Sequence, residues 1–271
     1  MTKFGVLIVE GPHDVKFIRR LIEPMGMKAI RMLDQVDDFY NPKMIPDYPP
    51  NGDIEIRVPI PAFFRGKDHC IAVQQAGGDS QLVEQLRNLT KTYDVDDFVG
   101  IGVLLDKDLE KSVAQRFSEI EAGFSSVRIA LDGGPGSVTK GEPNRGVFVL
   151  PDNAADGSLE DILLDIASTT YPGLLSTAVI HIDKAIQDQS LTNEDLRNLK
   201  RADGVVKESG RKKAVVATIA SALCPGRAVA SSIQDNRWFR DANLQRPEIQ
   251  NLQRFLAELF DLTIPQQATL S

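Results

Sequence analysis

Five short apolar runs that do not alternate constrain this chain most. They are Phe4–Val9, Cys70–Gln74, Phe98–Leu105, Val127–Leu131 and Val147–Leu150, each bounded by turn residues. A strand with one wet face alternates polar with apolar residues, whereas a continuous apolar run fits a strand covered on both faces. Helical periods lie between the runs: Val15, Ile18, Leu21, Ile22 and Met25 follow the first, and Leu82, Leu86, Leu89 and Tyr93 the second. Val113, Phe117 and Ile120 follow the third, and Leu159, Leu163 and Ile166 the fifth. Strand and helix alternate, which predicts an α/β fold with a doubly wound, mostly parallel sheet.

Two stretches interrupt that rhythm. Residues 34–68 hold six prolines and read as an insertion, with Ile54–Val58 alternating as a small strand or hairpin. Residues 132–146 contain Gly-Gly-Pro-Gly and read as a flexible turn between adjacent strands. Past Asp165 the strand signal stops. Residues 176–271 read as helical, with helices over 192–201, 211–223 and 247–260 and a capping box at Thr192 and Asp195. At about 150 residues per domain, 271 residues allow two domains or one large α/β domain with additions. The expected division is an α/β domain over 1–175 and a helical C-terminal extension over 176–271 packed on it. Ile249, Leu252, Leu256 and Leu259 recur at core spacing there, and no Gly/Ser linker separates the two parts.

Composition narrows the class. With 42% hydrophobic and 25% charged residues, a disordered, collagenous or disulfide-framed chain is excluded. Cys70 and Cys224 form no CxxC pair, and His13, His69 and His181 give no zinc-finger spacing. No stretch of 18 apolar residues exists and no signal-peptide architecture precedes the first strand, so no membrane partner and a cytoplasmic location are expected. The net charge of −7 is uneven: residues 1–175 carry −9 and residues 176–271 carry +2. That fits a carboxylate-rich site beside a cationic surface.

The acids fall at strand ends, where ligands bind in open α/β sheets. The first strand ends in Glu10-Gly11, the third in Asp106-Lys-Asp108, and the last in Asp152-Asn153 with Glu160 just beyond. Asp106 and Asp108, two apart on an extended segment, face the same way. Like charges that close raise each other's pKa unless a cation neutralises them, and Mg²⁺ favours a few carboxylates plus water. Glu10, Asp106 and Asp108 are therefore candidate metal-site residues. Plainer roles compete at the neighbours: Asp14 as a helix cap, Ser158 and Asp161 as a capping box, Glu160 as a dipole-matched first-turn acid, His13 as a solvated loop residue.

Val9-Glu10-Gly11-Pro-His-Asp14-Val-Lys-Phe-Ile18 resembles the first motif of Toprim domains, and Leu104-Leu-Asp106-Lys-Asp108 resembles their Asp-x-Asp motif. Gln75-Ala-Gly-Gly78 is similar to the glycine turn between those motifs. Pro151-Asp152-Asn153 with Gly157-Ser-Leu-Glu160-Asp161 resembles a later motif of Toprim proteins related to the overcoming-lysogenization-defect (OLD) nucleases, in particular a small bacterial branch of that group. The resemblance covers about residues 4–170. It implies a Toprim-like sheet and Mg²⁺- or Mn²⁺-dependent phosphodiester chemistry on DNA or RNA, most simply a nuclease. Carried over, Glu10 would be the acid/base, Asp106 and Asp108 metal ligands, and Asp14 and Glu160 ligands of a second metal. No GxxxxGK[ST] motif and no zinc ribbon accompany it, which weakens ATPase-coupled and primase readings.

Lys140 and Arg145, near the glycine-rich turn, are candidate phosphate contacts. Arg211, Lys212 and Lys213, within a segment 200–213 of net +4, are the candidate nucleic-acid surface, expected to lie apart from the acids. A homodimer stays open as a partner. Two other function classes stay open: a non-catalytic nucleic-acid or protein-interaction module on the same scaffold, and a phosphatase of the haloacid-dehalogenase type, whose nucleophile motif Leu104–Asp108 also resembles.

Overall fold

The computed structural model describes residues 1–47, 52–55, 59–107, 110–187 and 204–264. Its strands are β1 (Lys3–Val9), β2 (Lys28–Ala29), β3 (Ala62–Arg65), β4 (His69–Gln75), β5 (Phe98–Asp106), β6 (Val138–Thr139) and β7 (Asn144–Leu150). The sheet order is β2-β3-β4-β1-β5-β7-β6. The central β4, β1, β5 and β7 are parallel, and β2, β3 and β6 are antiparallel additions at the edges. The helices are α1 (Pro12–Ile22), α2 (Leu82–Thr92), α3 (Val113–Ser126), α4 (Leu159–Thr170), α5 (Pro172–Gln187), α6 (Glu208–Leu223), α7 (Val229–Gln234), α8 (Asp241–Leu244) and α9 (Pro247–Phe260).

Side chains on a strand alternate between faces, and here each face has its own core. Leu7, Val9, Leu104, Phe148 and Leu150 point into a cluster closed by α1, α4, α6 and α9. Val6, Ile8, Ile101, Val103, Leu105, Val147 and Val149 point into one closed by α2 and α3. Both faces are covered, which is why the strands read as unbroken apolar runs. The mostly parallel, doubly wound sheet is as expected.

Several local expectations are corrected. Val127–Leu131 is not a strand. α3 runs to Ser126, Arg128 adopts a left-handed φ of 64°, and Ile129 is buried under the sheet. The edge beside β7 is taken instead by Val138–Thr139, inside the stretch read as a flexible turn. Thr139 Oγ1 ties that hairpin by bonding both the N–H and the carbonyl of Asp132. In the insertion, Ile54 and Glu55 lie in a turn, and the strand that joins the sheet is β3, against β4. Residues 56–58 and the helix expected over 192–201, with its Thr192–Asp195 box, lie outside the described residues. No helix among those described is long and apolar enough to cross a membrane.

Candidate active site

The site forms where β1 and β5, adjacent and parallel, end side by side. The carbonyl of Glu10 accepts N–H bonds from Gly77 and Gly78, both at 3.1 Å. Those glycines have φ of 85° and 132°, a geometry that side chains resist. The turn after β4 thereby clasps the backbone of Glu10. The Glu10 carboxylate then reaches across to β5, where its Oε1 accepts the Asp106 N–H at 2.9 Å.

Asp106 is held in turn by α4. Its Oδ1 accepts the N–H of Leu159, the first residue of that helix, at 2.9 Å. A carboxylate at a helix N-terminus satisfies an orphan donor and suits the dipole. Glu160, one residue on, is 6% exposed, and its Oε1 lies 4.0 Å from His13 Nδ1. Asp14 is buried as the N3 residue of α1, accepting the Gly11 N–H at 2.8 Å. Asp161 has the matching role in α4, accepting from both the N–H and the hydroxyl of Ser158.

Four carboxylates therefore share one field. Burial, then the charges of Asp14, Glu10 and Glu160, push Asp106 well above the usual carboxylate range, against the Leu159 hydrogen bond. Burial pushes Asp14 up to about 7, with Glu10 and Glu160 adding to it and Gly11 and Lys213 opposing. Glu10 is raised by burial and by Asp79, while the Asp106 N–H, Arg116 and Lys213 restrain it. His13 is lowered by burial although Glu160 favours its cation.

Two helices supply Arg116, Lys212 and Lys213. Arg116 of α3, 2% exposed, donates Nε to the Asp106 carbonyl at 3.2 Å and Nη2 to Glu10 at 3.4 Å. It also bonds Asp79 and Glu119. Lys212 of α6 sits 2.8 Å from Asp161 and from Glu208. Lys213 forms no salt bridge among the described residues and acts on Glu10, Asp14 and His13 through its charge. Glu10, Asp106, Glu160, Arg116, Lys212 and Lys213 line one cavity of about 180 Å³, together with Asp79, Lys107, Ser158, Ser209 and Asp161.

Of the residues singled out in the sequence, Glu10, Asp14, Asp106 and Glu160 are brought together. Asp108 lies outside the described residues. Lys140 and Arg145 are taken away from the site. Arg145 pairs with Ile101, five residues before the carboxyl end of β5, roughly 16 Å back along the strand. There its guanidinium binds the carbonyls of Ala130 and Pro143, and Lys140 binds the carbonyl of Glu258. The 211–213 strip divides. Arg211 is held bidentately by Asp183 of α5 at 2.7 and 2.8 Å, while Lys212 and Lys213 enter the acidic cavity rather than lying apart from it. The reason is helical: residues 211 and 212–213 leave α6 on different faces.

Arg116 and Asp79 were not singled out. Arg116 carried a signal, because Val113, Phe117 and Ile120 put position 116 on the buried flank of α3. Asp79 carried none beyond its place after the glycine turn.

Among the described residues no three His, Cys, Asp or Glu side chains form a ready-made metal cage. The donors are nevertheless hard oxygens crowded against one another. Mg²⁺ needs only one or two carboxylates with water, so Glu10, Asp106 and Glu160 fit it chemically.

No curated protein matches this chain. Among solved structures, the hypothetical protein PH0156 from Pyrococcus horikoshii OT3 matches with a TM-score of 0.51 and 14% identity over 95% of each chain. That likeness concerns the fold. A family described as "Protein of unknown function (DUF3226)" matches residues 5–261, from β1 through the end of α9. The match embraces nearly the whole sheet and every helix described above, and the chain belongs to the DUF3226 family.

Proposed function

We propose that this chain performs Mg²⁺- or Mn²⁺-dependent phosphodiester chemistry on nucleic acid, as a nuclease of Toprim type. The observation that carries the reading is the pairing of Glu10 and Asp106 at the adjoining ends of β1 and β5, with Glu160, Lys212 and Lys213 lining the same cavity. The order of the two acids along the chain, with the glycine turn between them, is that of the resemblance described above.

Each chain group has a role in this reading. Glu10, whose pKa is raised by burial and by Asp79, accepts or returns the proton of the attacking or leaving oxygen. Arg116 fixes the Glu10 carboxylate and favours its charged form. Asp106, oriented by the Leu159 N–H, and Glu160 would hold the metal, with Asp14 behind them. Lys212 and Lys213 offer positive charge to the phosphate oxygens. When bound, the metal would neutralise the phosphate and polarise its oxygens. A phosphatase with Asp106 as nucleophile fits less well, since Asp106 is hemmed in by three carboxylates that repel phosphate.

The test pairs Mn²⁺ titration calorimetry with cleavage of labelled DNA and RNA. Asp106→Asn keeps an acceptor for Leu159 and should weaken Mn²⁺ by at least the roughly 10–100-fold typical of losing an outer-shell partner. Glu10→Gln should bind Mn²⁺ and nucleic acid yet abolish cleavage. Nucleic acid bound equally with and without chelator, and never cut, would point to a non-catalytic module.

A further inference from the structure

A second charged surface lies along α1. α1 leaves the site at His13, and Lys16 and Arg19 follow on it, each three residues further, or about 4.5 Å along the axis. They and Arg31 line a cavity of about 280 Å³ between α1, β3 and the chain just past β2. Across Ala29 and Ile30, which both cavities share, lies one of about 540 Å³ lined by Lys28, Arg65 and Lys67. Among the described residues no carboxylate lines either cavity.

Some of this charge is spent. Arg19 bonds Glu23 at 2.7 Å, and Arg65 lies 3.4 Å from Asp37. Lys16, Lys28, Arg31 and Lys67 form no salt bridge among the described residues. Lys16 is held below the usual lysine range by burial and by Arg19 beside it. Crowded cations in a chain of net charge −7 call for an external counter-charge. Blunting the sheet edge against pairing would explain Lys28 and Arg65, which sit on β2 and β3. It does not explain Lys16 and Arg19 on a helix, or Arg31 beyond the strand.

We propose that this edge is a track for the sugar–phosphate backbone of a nucleic acid, running from the carboxylate cavity along α1 to β2. The proposal rests on the nuclease reading and supplies what that reading lacked once Arg211 proved paired and Lys212 and Lys213 proved part of the cavity. Two concave cationic pockets separated by a narrow apolar ridge suit a repeating anion better than a flat acidic protein surface. The acids repel phosphate, so the polymer has to be held from beside them.

The experiment measures anisotropy of a fluorescein-labelled 24-base-pair DNA duplex and of a 24-nucleotide RNA, in Ca²⁺, from 50 to 300 mM KCl. Replacing Lys16, Arg31 and Lys67 together by Gln should reduce the log–log salt slope by about 2–3 units, one phosphate contact each. The charge-preserving triple Lys16→Arg/Arg31→Lys/Lys67→Arg should keep the parent slope. If the Gln triple does not melt like the parent, Lys67→Gln alone, on an exposed turn, should still lose about 0.7–0.9 of a unit. A parent that binds while the Gln variants keep its slope overturns the track and leaves the nuclease reading intact. A parent that binds neither probe at 50 mM overturns the track outright. Binding through the track without Mn²⁺-dependent cleavage keeps the track and removes the nuclease reading.

Discussion

Asp14 shows how one residue can serve fold and site together. As the N3 acid of α1 it caps the Gly11 N–H; as a buried carboxyl near Glu10 and Glu160 its pKa is pushed up to about 7. The folded chain thus holds this proton more tightly than the unfolded chain, where an aspartate titrates near 3.9. Stability from it is fully present below about pH 4 and lost as pH rises through about 7, at up to ~1.4 kcal/mol per pH unit. Asp14→Asn keeps a cap acceptor and removes the titration. Urea unfolding at pH 5 and 7.5 should find the variant gaining on the parent as pH rises. A constant difference would mean that Asp14 carries no extra proton. Glu10 and Asp106 were legible because each ends an apolar run, whereas Arg116 was not, because its apolar neighbours mark it as buried without naming its partners.

At the scale of elements, α9 lies over a floor that is small at one end and large at the other. On the face it covers, β1 presents Gly5 then Leu7 and Val9, β5 presents Gly100 and Gly102 then Leu104, and β7 presents Gly146 then Phe148 and Leu150. A methyl at Gly102 would stand 2.5 Å from Leu259, one at Gly146 2.7 Å from Phe255, and one at Gly100 would strike the backbone carbonyl of Leu259. Gly100→Ala should therefore cost about 1–3 kcal/mol or more by overpacking, since backbone cannot rotate away. Gly134→Ala, with open space around it, should stay within about 0.5 kcal/mol. Equal melting shifts for the two would refute the close-approach account. Glycines within apolar strands announce that something comes near; that it is α9, more than a hundred residues on from Gly146, is absent from the local pattern. The same locality explains Val127–Leu131: its residues suit a strand, but the edge position went to β6, fixed by Thr139 and Asp132.

For the whole molecule, the C-terminal helices complete the core of the sheet. Ile249, Leu252, Phe255, Leu256, Leu259 and Phe260 of α9 are all buried in the cluster that holds Leu7, Phe148 and the α1 side chains. At about 1.5–3 kcal/mol per large apolar side chain, those six contribute on the order of 10 kcal/mol, comparable to the ~5–15 kcal/mol net stability of a typical domain. A chain truncated after Arg246 should lose its cooperative thermal transition and bind a hydrophobic dye. A sharp melt for residues 1–246 would show the sheet to be self-sufficient.

Legible in the chain were the layered α/β class, the alternation of its central strands with their helices, and the delivery of Glu10, Asp106 and Glu160 to one edge. These follow from periodicity and turn chemistry, which act over a few residues and are written in the chain. Packing in three dimensions settled that Arg116 locks Glu10, that Lys212 and Lys213 belong to the acidic cavity while Arg211 answers Asp183, and that Arg145 serves the far end of its strand. Those pairings join residues distant in sequence, and a charge finds its partner only when packing has fixed which helix face meets which strand end.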